Sequence, residues 1–145
     1  MMLRHFKPRE FRGWWDLMSP RLLVCIDRFR EIWGARVDVS PVDGALGRRL
    51  GPDAMSGHNV DRWGVVEAVD LFPRGMDTPD DMARAYDCAR RAGATGIGFY
   101  TDTKPSNMIH LDTRPDRSAK NPRLWSRVDG EYLAIEAVMP RGWGR

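Results

Sequence analysis

The chain has 145 residues, of which 42% are hydrophobic and 30% are charged, and its formal net charge is +3. This composition excludes an intrinsically disordered chain and predicts a single domain over residues 1–145 that buries its own core. No stretch is apolar enough for a membrane-spanning helix, and no signal peptide is expected. The basic residues are spread along the chain without a recognised motif, so a nucleic-acid partner is not expected. Cys25 and Cys88 lie in helical apolar patterns and are interpreted as buried free thiols.

Two helices are predicted at the start of the chain. Residues 8–18 carry aromatic and apolar side chains at three- and four-residue spacing, which is typical of one face of a helix. Residues 21–33 show the same spacing after Ser19 and Pro20, which form a favourable N-cap and first-turn pair. Gly34 is a natural stop for this second helix.

The rest of the chain predicts short strands and one further helix. That helix covers residues 79–91 and is capped by Thr78. A helical turn is predicted for residues 121–127. Residues 140–145 are expected to form a frayed tail. Glu67 is expected to face solvent. The predicted strands cover residues 36–40, 65–72, 96–100, 107–112 and 131–138. Helices followed by short strands predict an α+β fold with a small antiparallel sheet.

Two histidines and one aspartate carry the clearest chemical signal. His58 lies in the segment SGHNVDRWGVVEAVD, which ends at Asp70, and His110 lies in MIHLDTRPD after the strand candidate GIGFY. Two imidazoles and a carboxylate form the ligand set of a catalytic zinc site, which leaves a fourth position for water. From spacing alone, a loop histidine at position 58 and a hydrogen-bonded strand histidine at position 110 explain the pattern about as well. His5 lies outside the pattern and is expected at the surface.

The order of these segments resembles a family of zinc peptidases. The matching stretches are Ser56-Gly57-His58, Glu67-Ala68-Val69-Asp70, Gly98-Phe99-Tyr100 and Met108-Ile109-His110-Leu111-Asp112-Thr113-Arg114. They are similar to the motifs of the D-Ala-D-Ala carboxypeptidase and L-alanyl-D-glutamate endopeptidase group, which includes phage endolysins and shares a fold with the hedgehog signalling domain. The N-terminal helical region resembles this family too, so the resemblance covers about residues 5–125.

The resemblance implies a hedgehog-like α+β fold and a zinc-dependent peptidase that cleaves stem-peptide bonds of peptidoglycan. It implies Zn²⁺ bound by His58, Asp70 and His110. Asp112 lies two residues after His110, and residues two apart in a strand face the same way. It is therefore the first candidate for the general base, and orienting a metal-bound imidazole is its alternative role. Asp102, in a turn, is a second candidate base.

The resemblance also implies a substrate, partners and a location. Arg114 and Arg49 are the candidates for binding a free carboxylate of the stem peptide, with Arg48 as the alternative to Arg49. A protein of this kind is expected in a phage virion tail, or in the host cytoplasm before its release to the cell wall. Phage tail or baseplate proteins are further expected partners, and insertion into a membrane is not expected.

The chain departs from the family pattern at four places. Eleven residues separate His58 from Asp70 where the family has six, and the extra stretch VDRWG is expected to bulge between the two ligands. Val66 stands where the family has glycine, and Asn107 where several endopeptidases of the family have an acidic residue. The loop SPVDGALGRRLG lacks the usual placement of the substrate-binding arginine. Asn107 and the altered loop favour a second hypothesis, a catalytically inactive structural or wall-binding virion component with the same fold.

Overall fold

The computed structural model describes residues 1–144, which contain three α-helices and six β-strands. The helices are α1 (Pro20–Trp33), α2 (Val60–Trp63) and α3 (Pro79–Arg91). The strands are β1 (Val37–Val39), β2 (Ala68–Pro73), β3 (Gly96–Tyr100), β4 (Met108–Asp112), β5 (Arg123–Val128) and β6 (Glu131–Leu133). Short 3-10 helices cover Pro8–Phe11, Trp15–Leu17 and Ile135–Val138. The predicted α+β class is confirmed.

The six strands form one mixed sheet in the order β1-β2-β4-β3-β5-β6. Every neighbouring pair is antiparallel except β3 and β5, which run parallel. The prediction of an antiparallel sheet is therefore corrected to a mixed one. β4 pairs with one edge of β3, and β5 pairs with the other edge. β4 runs opposite to β3, and the chain reverses again before β5, so β5 runs parallel to β3.

Three other segments differ from the predictions. Residues 8–18 form two short 3-10 helices instead of one helix, because Arg12 and Gly13 between them have positive φ angles of 44° and 85°. Most of the segment 121–127, predicted as a helical turn, lies in β5, where its backbone pairs with β3. The strand predicted over residues 131–138 is divided between β6 and a 3-10 helix.

The helices predicted near residues 21–33 and 79–91 are confirmed. The Ser19 side chain accepts a hydrogen bond from the backbone of Leu22 at the start of α1. Thr78 and Asp81 form a reciprocal capping box at the start of α3, which satisfies backbone N–H groups that the helix itself leaves unpaired. Among residues 1–144, no helix has both the length and the apolar character needed to cross a bilayer.

The two faces of the sheet have different surroundings. α1 and α3 contribute to the apolar core on one face, where alternate residues of the central strands are fully buried: Val69, Leu71, Ile97, Phe99, Ile109 and Leu111. Cys25 and Cys88 on these helices are buried free thiols, as predicted. Because strand side chains alternate, the intervening residues point to the opposite face, and they include Asp70 and His110.

Candidate metal centre

Asp70 and His110 are neighbours on the face of the sheet away from the helices. Asp70 on β2 pairs in register with His110 on β4, His110 pairs with Gly98 on β3, and Gly98 pairs with Trp125 on β5. Side chains at directly paired positions share a face, with Cβ atoms about 5 Å apart. Strand pairing alone therefore brings two of the three predicted metal ligands together.

His58 reaches the same place from a loop. The backbone carbonyl of Gly57 accepts a hydrogen bond from the N–H of Glu67 at 2.8 Å, which fixes this loop beside the start of β2. After His58, Asn59 caps the single helical turn α2. The extra stretch that was expected to bulge between His58 and Asp70 forms this helical turn.

The three side chains present their donor atoms to one another. One ligand atom each from His58, Asp70 and His110 lies within 4.8 Å of the others. Asp70 Oδ1 is 3.5 Å from His58 Nε2 and 3.1 Å from His110 Nδ1. In a tetrahedral site with metal–ligand distances near 2.0–2.1 Å, two ligand atoms are about 3.3 Å apart. The buried group His58, Asp70 and His110 can hold a metal ion.

The second nitrogen of each imidazole has its own partner. His58 Nδ1 lies 2.6 Å from the carbonyl oxygen of Leu46, which can only accept, so Nδ1 donates this hydrogen bond and Nε2 faces Asp70. His110 Nε2 lies 3.0 Å from Asp112 Oδ2, which leaves Nδ1 for Asp70 or a metal. Hydrogen bonds of this kind fix the tautomer and orientation of metal-binding histidines.

Asp112 lies behind His110, away from the three ligand atoms. Its side chain is fully buried, and it accepts hydrogen bonds from Thr95 Oγ1 at 3.1 Å and Arg117 Nη1 at 2.6 Å. It does not line the cavity in front of the ligands. This position does not support the general-base assignment of Asp112, and it fits the alternative role of holding the His110 imidazole.

Two glycines of β3 make room for this arrangement. A Cβ atom at Gly96 would collide with the carboxylate of Asp112 and the guanidinium of Arg117. A Cβ atom at Gly98 would collide with the ring of Trp125, whose centroid is 5.0 Å from that of His110. The Gly-x-Gly pattern of GIGFY therefore removes side chains from the site face of β3, so that groups from β4 and β5 occupy that space.

His110 and the two carboxylates beside it keep one another charged when no metal is bound. Burial opposes protonation of His110, but hydrogen bonds to Asp112 and Asp70 outweigh it and raise its pKa to about 9. Burial favours the neutral acid of Asp70, but hydrogen bonds to His110 and His58 outweigh it and hold its pKa well below the usual range. The pKa of Asp112 is lowered in the same way, by His110 against burial. The metal-free site is therefore a protonated imidazole between two carboxylates.

A cavity of about 300 Å³ opens in front of the ligands. Its wall combines aromatic side chains with four arginines, which are Arg48, Arg114, Arg117 and Arg127. Three of these arginines pair with carboxylates, Arg114 with Asp116, Arg117 with Asp112 and Arg127 with Asp102. Arg48 forms no ion pair within residues 1–144, and its Nε donates to the Gly44 carbonyl at 2.8 Å. Arg48 is thus the cation with most capacity left for an anionic ligand.

The structure separates the predicted substrate-binding arginines. Arg114 lines the cavity, as a substrate-binding residue must. Arg49 is exposed, pairs with Asp61 at 3.2 Å and does not line the cavity. Of these two neighbours, Arg48, the alternative to Arg49, is the one that lines the cavity.

Other residues also lie in unexpected places. Glu67, expected at the surface, is buried, and burial raises its pKa against a hydrogen bond to Ser19. Asp102, the second candidate base, binds Arg127 and lies outside the cavity lining. Sequence reasoning missed Trp125 on β5, although the alternation in RLWSRV is a strand signal that places it on one face.

No protein-family model matches the chain, and no curated protein or solved structure matches it. The interpretation of the site therefore depends on its own geometry. That geometry is the convergence of His58, Asp70 and His110, with a hydrogen bond from the outer nitrogen of each imidazole.

The position of Asp112 predicts the effect of Asp112→Asn on metal binding. The neutral amide is a weaker acceptor for His110 Nε2–H, so affinity for a divalent metal should fall roughly 10–100-fold, and excess metal should restore occupancy. The measurement is titration of the metal-free protein with Zn²⁺ and Co²⁺. Asp87→Asn, which changes an exposed carboxylate on α3, is the matched control. An unchanged affinity in Asp112→Asn would contradict the orienting role.

The raised pKa of His110 predicts how the metal-free protein responds to pH. Its folded value of about 9 exceeds the usual value near 6.5, so its contribution to stability is complete below about pH 6.5. That contribution is lost as the pH rises through about 9. A metal ion must displace this proton, so binding at pH 7 should release about one proton, and affinity should increase up to about pH 9. Calorimetry in buffers of different ionisation enthalpy measures the release, and binding without proton release at pH 7 would exclude His110 as the displaced group.

Proposed function

We propose that the protein is a zinc-dependent peptidase that hydrolyses stem-peptide bonds of peptidoglycan. The observation that carries the proposal is the convergence of His58, Asp70 and His110 beside an open cavity. The resemblance of the surrounding motifs to zinc peptidases supports the same reading. It also supports a hedgehog-like version of the α+β fold, which we include in the proposal.

The donor set fits zinc. Two imidazole nitrogens and one carboxylate oxygen, without thiolates, form the three-ligand set that catalytic zinc sites use. The two donor separations, 3.1 and 3.5 Å, bracket the edge of about 3.3 Å expected for a tetrahedron around zinc. A zinc ion bound there supplies a Lewis acid that activates water and polarises a scissile carbonyl.

The cavity offers positive charges and aromatic surfaces that suit an anionic peptide. Arg48 offers a guanidinium without an ion-pair partner among residues 1–144, and Arg114, held by Asp116 and lying over the Trp63 ring, adds a second cation. Trp125 and the largely exposed Tyr132 add flat apolar surfaces to the same cavity. Stem peptides carry several free carboxylates, and these contacts would orient such a chain over the metal ligands.

A second candidate function is a catalytically inactive, wall-binding virion component. The observation that favours it is the absence of a free carboxylate: among residues 1–144, Asp70 is the one acidic residue that lines the cavity. The Asp112 carboxylate already accepts hydrogen bonds from His110, Thr95 and Arg117. The residue first expected to accept the proton of the attacking water is therefore not available for that role. For either candidate we propose a phage tail or the host cytoplasm before release as the location.

Hydrolysis of purified murein separates the two candidates. A peptidase should clear murein in a zymogram when loaded with Zn²⁺, lose the activity with a chelator and regain it with added Zn²⁺. His110→Ala should be inactive because it removes a metal ligand, whereas Asp87→Asn should keep full activity. Sedimentation of the protein with insoluble murein, without any clearing, would instead support the wall-binding candidate.

Arg48 and Arg49 form a matched pair for testing substrate binding. Arg48→Ala should lower kcat/KM on soluble stem peptides roughly tenfold or more, mainly through KM, because it removes a charged hydrogen-bond donor from the cavity. Arg49→Ala removes an exposed side chain outside the cavity and should leave kcat/KM nearly unchanged. Equal effects of the two substitutions would exclude a specific role for Arg48.

A further inference from the structure

A second cavity, of about 230 Å³, lies beside the metal cavity. Four residues line both cavities, namely Arg48, Asp70, Met108 and Arg127. Because Asp70 is also a metal-ligand candidate, the two cavities meet at the metal centre. A substrate bound over the ligands can therefore extend past them into the second cavity, which no step of the proposed hydrolysis uses.

The second cavity has an apolar floor. Phe72 and Met108 are buried and pack with Tyr100 in a small apolar cluster on this face of the sheet. The buried methyl of Ala45 and the exposed side chain of Val42 add to the same lining. A floor of this kind favours an aliphatic chain, since apolar atoms leave water there without losing hydrogen bonds.

Apart from the residues that it shares with the metal cavity, the second cavity carries one charge of each sign. Lys104 and Asp43 both line it, both are exposed, and neither forms an ion pair within residues 1–144. Arg127 also lines it, but Asp102 binds its guanidinium with both carboxylate oxygens. Arg48 and Asp70 lie where this cavity meets the metal cavity. The charges left for the part of a ligand beyond that junction are therefore the Lys104 ammonium and the Asp43 carboxylate, which complement a ligand group that carries both signs.

We propose that the second cavity is a substrate subsite for an aliphatic side chain that ends in an α-amino acid group, as in a diaminopimelate residue. The aliphatic part lies on Phe72 and Met108, the terminal carboxylate faces Lys104, and the terminal ammonium faces Asp43. This inference rests on the proposed peptidase function, because it names the stem peptide that the same centre prefers. A lysine side chain lacks the terminal carboxylate and leaves Lys104 without a partner.

Two synthetic peptides test the subsite. They share the sequence L-Ala-γ-D-Glu-X-D-Ala, where X is meso-diaminopimelate or L-lysine. The zinc-loaded full chain should cleave the diaminopimelate peptide with a kcat/KM about tenfold higher, as expected for one additional charged hydrogen bond. Lys104→Ala should bring this ratio close to one. Lys120→Ala, which changes an exposed lysine that lines neither cavity, should keep the ratio of the unmodified protein.

The outcomes separate failure of the subsite from failure of the function. Equal kcat/KM values for the two peptides, or an equal loss for both in Lys104→Ala, would overturn the subsite and leave the peptidase proposal standing. If neither peptide is cleaved, the peptidase proposal fails, and calorimetric binding of the same two peptides decides the subsite. About tenfold tighter binding of the diaminopimelate peptide, lost in Lys104→Ala, would support it, and equal or undetectable binding would overturn it.

Discussion

Asp70 and Asp112 are buried carboxylates on either side of a single imidazole, and much of the surrounding structure compensates for their charge. A buried carboxylate is costly unless it is paired and hydrogen-bonded. His110 contacts both carboxylates, and Arg117 and Thr95 complete the surroundings of Asp112. A bound dication would take over the charge compensation of Asp70 and leave the Asp112 contacts in place. The same contacts thus compensate the buried carboxylates without a metal and leave Asp70 able to bind one.

The candidate metal ligands and the residues around the cavity lie on different parts of the fold. Asp70 and His110 are in β2 and β4, near the middle of the sheet, with the helix core behind them. The rim residues come from loops and from the strands toward the other edge, where Tyr132 is largely exposed. Rigid central strands suit a centre whose donor atoms must stay within fractions of an ångström, and loops suit recognition of varied ligands.

The parts of the fold that were predictable from the sequence depend on local signals. α1 and α3 follow from capping residues and helical periodicity, and β3 and β4 from short apolar runs. β5 was misjudged because its pairing with β3 is a contact between distant segments that no local pattern records. The 3-10 helices near the N-terminus replaced a predicted helix because two consecutive residues have left-handed backbone angles.

The candidate site, like the fold, was predictable from the sequence only in part. Strand alternation placed His110 and Asp112 on one face, yet it could not show that Asp112 points away from the cavity. That orientation depends on Gly96, which leaves space for the carboxylate, and on Arg117, which binds it. The choice between Arg48 and Arg49 was likewise open, because neighbouring loop residues point in different directions only once the loop is folded.

The hydrogen bond between Gly57 and Glu67 closes the base of the segment that carries α2. His58 and the start of β2 are therefore held at a fixed separation whatever number of residues lies between the two closing positions. Insertions and deletions in this segment would alter the outer edge of the cleft while sparing the ligand positions. A lineage of such proteins could acquire new recognition surfaces there by changing length, an evolutionary route that point substitutions around a rigid metal centre do not offer.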